Sequence, residues 1–235
     1  MIDILTSVFS ILGLGFLLGL EHAFDVDHVV AVSSLVSEHK KMRKASLLGS
    51  FWGLGHTTTL LIAGLMVLIL KVAISDKIAL SLEFLVGVMI VVLGIMVLKG
   101  LFIEKKHIHR HTHNGIPHMH VHSHKHSDSH KHYHKSFLVG IIHGLAGSAS
   151  LMLLVLSTIE SIYLGIIFIL IFGLGTILGM SVVAGMISFP FTFTAKNFSL
   201  WNKRIRYLTG VFSISFGIFL MIKIGYVEGL FIMFF

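Results

Sequence analysis

The chain has 235 residues and carries a compact group of metal-binding side chains inside its first long apolar stretch. Two imidazoles and three carboxylates lie within eight positions there: Glu21, His22, Asp25, Asp27 and His28. Ionisable groups in lipid are costly unless they are paired or hydrated, so they are functional candidates by default. Carboxylates offset the charge of a divalent cation, and imidazoles favour transition metals over Mg²⁺ or Ca²⁺. The cluster therefore predicts a site for a partly hydrated transition-metal ion.

The helical geometry of this cluster singles out Asp27. On a regular helix the other four residues occupy one arc of about 120°, whereas Asp27 points away unless the helix is unwound there. A set of polar caps at a helix break is the alternative explanation of the cluster.

Two further histidines lie in apolar stretches. His56 follows a Gly-Leu-Gly segment and precedes three threonines, which can satisfy carbonyl groups, and it is either a ligand or a packed, hydrogen-bonded residue. His143 lies in a glycine-rich segment without acidic neighbours, which makes it a weaker candidate. The predicted metal ligands are therefore His22, Asp27, His28, His56, Asp25, Glu21 and His143.

A third histidine group lies in the segment 104–135, which contains twelve histidines alternating with Lys, Ser, Thr and small apolar residues. Such a tract cannot form a core, so we expect a mobile loop, and neutral imidazole binds Zn²⁺, Ni²⁺, Cu²⁺ and related ions. Metal binding is predicted, and a solvated basic linker is the alternative.

The composition requires that these groups be held by membrane helices. Hydrophobic residues make up 55% of the chain and charged residues only 12%, whereas a soluble domain carries about 25% charged residues. Because cysteine is absent, disulfides and thiolate metal sites are excluded. Six apolar stretches are predicted to span the bilayer, the first of them as one long span that is tilted or locally broken: 4–36, 46–70, 78–99, 136–158, 161–189 and 205–225.

The distribution of basic residues predicts the orientation. Fifteen of the 18 Lys and Arg residues fall on one side of such a six-span arrangement. The positive-inside rule places that side, with the histidine-rich loop, in the cytoplasm and both termini outside. We therefore predict a multi-pass protein of the cell (inner) membrane. The net charge of +7 is a topology signal, and no nucleic-acid partner is predicted.

The two halves resemble each other at an offset near 121 residues. Gly19-x-x-His22 matches Gly140-x-x-His143, and the Gly-Leu-Gly segment at 53–55 matches that at 173–175. Three spans per half would give the copies opposite orientations, as in many secondary transporters, although chance matches among 23 glycines are the alternative. The predicted fold is an all-α integral membrane protein with six transmembrane helices in two inverted three-helix repeats, residues 1–103 and 136–235, joined by the cytoplasmic loop 104–135.

These motifs resemble a known family. His22-x4-Asp27-His28, followed by a Leu-Gly-His-Thr segment at 54–57, is similar to the NiCoT/NicO nickel and cobalt transporter superfamily. The resemblance implies that His22, Asp27, His28 and His56 bind or pass Ni²⁺ or Co²⁺, and that the helix is unwound at 24–28. Segments 143–148 and 173–176 are similar to the branch that includes UreH-like urease accessory permeases, whereas the histidine-rich loop resembles the efflux members.

The predicted function is therefore secondary transport of Ni²⁺ or Co²⁺ through a His/Asp site near the bilayer midplane. No enzymatic activity and no cofactor beyond the transported ion are predicted, and no ATP-binding Gly-x4-Gly-Lys-[Ser/Thr] motif occurs. The predicted partners are the lipid bilayer and a cytoplasmic metallochaperone at the histidine-rich loop. The alternatives are an exporter of Zn²⁺ or another divalent cation, an intramembrane metalloenzyme and a haem-carrying cytochrome. The direction of transport, the coupling ion and the oligomeric state stay open.

Overall fold

The computed structural model describes residues 2–39, 41–70, 75–103, 107–113, 116–122, 129–144, 159 and 161–234. Apart from one hairpin, the elements in these residues are helices: α1 (Ile2–His22), α2 (Val26–Val36), α3 (Met42–Leu70), α4 (Asp76–Ile103), α5 (Ser129–Gly144), α6 (Ile162–Asn197) and α7 (Ser199–Ile222). A π-helical turn, Lys223–Val227, extends α7, and a 3₁₀ turn, Ile232–Phe234, follows it.

Four helices of the described residues are long and apolar enough to cross a bilayer, namely α3, α4, α6 and α7 with its π-helical extension. The segments Phe9–His22 and Val26–Val36 together form a fifth candidate span, bent by 54° at a short break. The prediction of a multi-pass helical membrane protein is thus confirmed. The first apolar stretch is broken as expected, and its crossing of the bilayer as one span stays a prediction. Of the predicted fourth span, 136–158, only the part up to Gly144 lies within the described residues, so the number of six spans stays a prediction.

The boundary between the last two spans differs from the prediction. A loop was expected between 189 and 205, but α6 continues through Pro190 to Asn197 and α7 begins at Ser199. Proline is tolerated in membrane helices where other groups satisfy the backbone. Just after the proline, the Thr194 hydroxyl donates to the Pro190 carbonyl and the Asn202 side chain donates to the Phe191 carbonyl, so side chains bond to the backbone at the end of α6.

The histidine-rich segment contains a hairpin that was not predicted. Strand β1 (His107–His113) pairs antiparallel with β2 (Ile116–His122). Alternation of histidine with Ile, Thr and Val has the period of a strand, and Asn-Gly at 114–115 is the strongest short hairpin signal, so the sequence did carry this information. The register sets histidine opposite histidine at three positions: His107 with His122, His109 with His120, and His111 with His118. Helix α5 also begins inside the predicted loop, at Ser129.

Contacts at glycines define the relative directions of the helices. A Cβ atom at Gly140 would collide with the backbone of Trp52, and one at Gly144 with the backbone of His56, so α5 runs parallel to α3. Contacts Gly15–Phe168 and Gly19–Phe172 show that α1 runs parallel to α6. Contacts Gly53–Ile177 and Gly49–Met180 show that α3 runs antiparallel to α6. Contacts Gly94–Gly210 and Gly87–Gly217 show that α4 runs antiparallel to α7. Small residues at these positions let the backbones approach closely, as membrane helices require.

The same contacts recur after about 120 residues. Gly19 packs against Phe172 as Gly140 packs against Trp52, and each partner lies 120 or 121 positions from its counterpart. The helices matched by this offset are α1 with α5, α3 with α6, and α4 with α7. Their directions follow from the contacts above, and the two members of each pair run in opposite directions.

Because of these helix directions, most basic residues of the described helices lie at the same end of the bundle. One end of the bundle, where α2 ends and α3 begins, carries Lys41, Arg43, Lys44, Lys99, Lys135, Lys196, Lys203, Arg204 and Arg206. Lys77 and Lys223 lie at the other end. We call the first the basic end.

Candidate metal site

The break between α1 and α2 builds the first part of the site. Helix α1 ends at His22, and a turn closed by a hydrogen bond from the Phe24 amide to the Glu21 carbonyl precedes Asp25, which has extended backbone angles. Unwinding was predicted at 24–28, and the break lies slightly earlier, at 23–25. The break changes the rotation along the chain, so that Asp27 and His22 both face the same interior space.

Three histidines form the first ligand group. His22 ends α1, His28 lies in the first turns of α2, and His56 lies near the middle of α3. His28 and His56 are fully buried and His22 is 7% exposed. The Nε2 atoms of His22 and His56 are 3.1 Å apart, and one ring nitrogen from each histidine lies within 4.8 Å of the others.

Asp27, His28 and His143 form the second ligand group, whose ligand atoms also lie within 4.8 Å of one another. The Asp27 carboxylate accepts a hydrogen bond from the His28 backbone amide at 2.8 Å, and its other oxygen lies 3.0 Å from His143 Nε2. His143 is fully buried and comes from α5, in the second half of the chain. His28 belongs to both groups, so the five side chains form one continuous cluster.

The structure separates Asp25 and Glu21 from this cluster. The Asp25 carboxylate lies 2.8 Å from His22 Nδ1, on the side of the ring away from His56, and its side chain is 51% exposed. A carboxylate in this position orients a metal-binding imidazole instead of binding the ion itself. Glu21 is exposed and belongs to neither ligand group of the described residues. The predicted direct roles of Asp25 and Glu21 therefore do not match this geometry.

Two aromatic residues that were not predicted enclose the cluster. The Trp52 ring lies 6.1 Å from the His28 ring and 5.4 Å from the His143 ring, and the Phe172 ring lies 5.7 Å from the His22 ring. Trp52 stands four residues before His56, on the same helical face, and this spacing is the signal that could have identified it.

Hydroxyl groups fasten the helices around the cluster. Thr57 Oγ1 donates to the Gly173 carbonyl of α6 and Thr59 Oγ1 donates to the Ile141 carbonyl of α5. These bonds satisfy polar groups that lipid cannot, and they tie α3 to both neighbouring helices.

The donor set fits a divalent transition-metal ion. Within the described residues, His28 Nε2, His56 Nδ1 and His143 Nδ1 are buried without a hydrogen-bond partner. Imidazole–metal bonds of about 2.1 Å place two donors on one ion at most about 4 Å apart, so each group could close on an ion by a contraction of less than about 1 Å. Several imidazoles with one carboxylate suit borderline ions such as Ni²⁺, Co²⁺ and Zn²⁺.

Comparisons with known proteins identify relatives along most of the chain. A family described as the transmembrane region of cytochrome c biogenesis protein matches residues 29–219. The urease accessory protein UreH of Bacillus sp. (strain TB-90) is 45% identical over 222 residues, which cover 94% of this chain and 95% of that protein. No solved structure matches the chain.

Two plant proteins are more distant relatives. The Arabidopsis thaliana chloroplast proteins FOR GROWTH AND FERTILITY 1 and 2 are each 27% identical, over 169 and 180 residues. The matches cover 71% and 76% of this chain but only 46% of each plant protein, so the chain spans less than half of their length. The family that matches differs from the nickel and cobalt transporter superfamily that the motifs resemble.

Proposed function

We propose that this chain, which belongs to the family of cytochrome c biogenesis transmembrane regions and is a homologue of the urease accessory protein UreH, is a secondary transporter for a divalent transition-metal ion. Ni²⁺ is the first candidate for the transported ion and Co²⁺ the second. Homology to a urease accessory protein supports a role connected with nickel.

One observation carries this proposal. Four imidazoles and one carboxylate, drawn from α1, α2, α3 and α5, converge in the interior of a bundle of membrane-spanning helices. Ligands that are costly to bury in lipid are retained where an ion passes or binds. In this proposal the ion exchanges its water for His22, His28, His56, His143 and Asp27.

The recurring helix contacts support an inverted-repeat architecture. Matched helices run in opposite directions, which is the arrangement of transporters whose halves rock about a central site. The cluster lies between the halves because His143 comes from the second half and the other four ligands from the first. We propose that rocking of one half against the other exposes the ion alternately to the two sides, and that the basic end is cytoplasmic.

The family description raises the alternative of redox or haem chemistry. The sequence contains no cysteine, so its own residues cannot exchange disulfides or attach haem through a Cys-x-x-Cys-His motif. The His/Asp cluster therefore favours ion transport over these activities. The histidine-rich segment would capture ions at the cytoplasmic side and hand them to or receive them from a metallochaperone.

Flux of radiolabelled Ni²⁺ into proteoliposomes tests the proposal. We expect uptake with the wild-type protein, tested with and without a proton gradient, and its loss in His28→Ala and His56→Ala, because each substitution removes a buried donor. Glu21→Ala is the control, since Glu21 is exposed and lies outside both ligand groups and outside the histidine-rich segment.

Parallel measurements with Co²⁺ and Zn²⁺ identify the preferred ion. Preferential transport of Zn²⁺ would favour the alternative of a zinc exporter. The imidazole cluster could also satisfy the tetrahedral coordination that Zn²⁺ prefers. Unchanged Ni²⁺ flux in both cluster variants would overturn the assignment of the site.

A further inference from the structure

Trp52 and Phe172 enclose the cluster and are fully or almost fully buried, at 0% and 2% exposure. The Trp52 ring is nearly parallel to that of His28, with 16° between their planes, and it also contacts the ring of His143. The Phe172 ring contacts His22. Both ends of the ligand cluster are thus covered by an aromatic ring.

The two rings occupy equivalent positions in the two halves of the chain. Positions 52 and 172 are 120 residues apart, and the histidines that they contact, His143 and His22, are 121 apart. The backbone of Trp52 packs against Gly140 as that of Phe172 packs against Gly19. Both halves therefore keep the contact between ring and imidazole, although only the first half carries the Asp-His motif.

The antiparallel course of α3 and α6 places the rings on opposite sides of the cluster. Trp52 lies one turn before His56 in α3. It is therefore about 6 Å closer than His56 to the start of α3, which lies at the basic end. Phe172 lies one turn before Thr176, the counterpart of His56, and thus closer to the start of α6 at the opposite end.

A cavity of about 220 Å³ lies on the basic side of Trp52, and its walls include Glu38, Leu48 and Lys135. On α3, Leu48, Trp52 and His56 follow one another at intervals of four residues, so they share a face. On α5, Lys135, Val139 and His143 do the same, and Val139 is buried. Trp52 and Val139 therefore form a layer one helical turn thick between the cavity and the ligands.

An apolar cluster lies on the other side, around Phe172. Phe172 packs there with Phe168, Ile169 and Leu60, all of which are buried. The layer is thicker than on the Trp52 side, because Phe168 lies one further turn toward the start of α6.

We propose that Trp52 and Phe172 are the two gates of the ion pathway: Trp52 closes the passage to the basic end and Phe172 closes the passage to the opposite end. This inference rests on the proposed function, and the passing ligand is a divalent transition-metal cation with part of its water. The Trp52 indole N–H has no acceptor among the described residues, so it can donate a hydrogen bond to water that accompanies the ion.

Labelling of an introduced cysteine tests the two gates, since the natural sequence contains no cysteine that would react as well. The reporter is His143→Cys, labelled with a membrane-impermeant methanethiosulfonate in vesicles of both orientations. A separate Lys203→Cys variant shows which orientation exposes the basic end. We expect Trp52→Ala to raise the labelling rate several-fold from the basic end alone, and Phe172→Ala to raise it from the opposite end alone.

Matched variants separate gating from general loosening. Phe51→Ala and Leu174→Ala, which change neighbouring exposed side chains, should leave labelling unchanged. Trp52→Phe and Phe172→Trp should keep it low, because an aromatic ring is retained. Where Trp52→Ala is poorly folded, Trp52→Leu, which fills less of the layer, replaces it. Equal increases from both sides, or no increase in either gate variant, would overturn the proposal.

The outcome is independent of the transported ion. Side-selective labelling together with an absence of Ni²⁺ flux in the wild-type protein would retain the gates and reject the cargo. Ni²⁺ flux in the wild-type protein without side-selective labelling of the reporter would reject the gates alone.

Discussion

His28 is the residue on which both ligand groups depend. Its Nδ1 atom lies 2.9 Å from the Asp27 carboxylate, whereas its Nε2 atom is buried without a partner within the described residues. A histidine held on one side by a carboxylate presents its other nitrogen to an ion in a defined orientation. Asp27 in turn connects His28 with His143, so the ligands from both halves are coupled through one carboxylate.

Asp25 provides a direct test of the difference between orienting and binding. Asp25→Ala should lower Ni²⁺ affinity about 10- to 100-fold, the usual effect of removing a carboxylate that orients a metal-binding imidazole. Isothermal titration calorimetry on the purified protein in detergent measures this change.

Glu21→Ala is the matched control, because Glu21 is an exposed carboxylate outside both ligand groups. Its affinity should equal that of the wild type. A loss in Asp25→Ala as complete as that in His22→Ala would show instead that Asp25 binds the ion directly.

The helices position these residues through contacts that tolerate no side chain. At Gly140 a Cβ atom would meet the backbone carbonyl of Trp52, and at Gly144 it would meet that of His56. Because His143 lies between these two contacts, the depth of α5 in the bundle determines whether its imidazole reaches Asp27.

Gly140→Ala and Gly19→Ala should therefore destabilise the protein by about 1–3 kcal/mol each, as overpacking of a tight contact usually does. Thermal unfolding in detergent, without added metal, measures the effect.

Gly13→Ala serves as the control, since no atom lies within 4 Å of a Cβ atom at that position of α1. Alanine there should be neutral or slightly stabilising, because it favours the helix. Equal stability of Gly140→Ala and Gly13→Ala would mean that the α3–α5 contact does not hold the site.

At the level of the molecule, the helix directions place most of the described basic residues at one end of the bundle. Nine Lys and Arg residues of the described helices and their flanking turns lie at the basic end of the bundle, whereas Lys77 and Lys223 lie at the other end. The positive-inside rule predicts that this end faces the cytoplasm. The cavity next to Trp52 would then open toward the same side as the histidine-rich segment.

Labelling of engineered cysteines in intact cells tests this orientation. Lys203→Cys should react with an impermeant thiol reagent only after the membrane is permeabilised, whereas Lys77→Cys should react in intact cells; both positions are exposed. The reverse pattern would show that the basic end is outside and that positive-inside counting fails for this chain.

Much of the site was predictable, because buried ionisable residues in an apolar chain are few and conspicuous. Composition alone identified a membrane protein, and the spacing of His22, Asp27 and His28 predicted that these residues share a site at a broken helix. The offset between the halves likewise predicted that matched helices would run in opposite directions. These properties depend on residue type and spacing along one chain, which the sequence states directly.

Other properties depended on how the helices pack against one another. Regular helical geometry pointed Asp27 away and grouped Asp25 and Glu21 with the predicted ligands. The break at 23–25 instead places Asp27 in the cluster and leaves Asp25 and Glu21 outside both ligand groups. Trp52 and Phe172 are ordinary apolar residues in the sequence, and they enclose the cluster only because antiparallel helices bring them to opposite sides of it. Distances between helices are set by side-chain packing across the bundle, so the spacing of residues along a single helix cannot predict them.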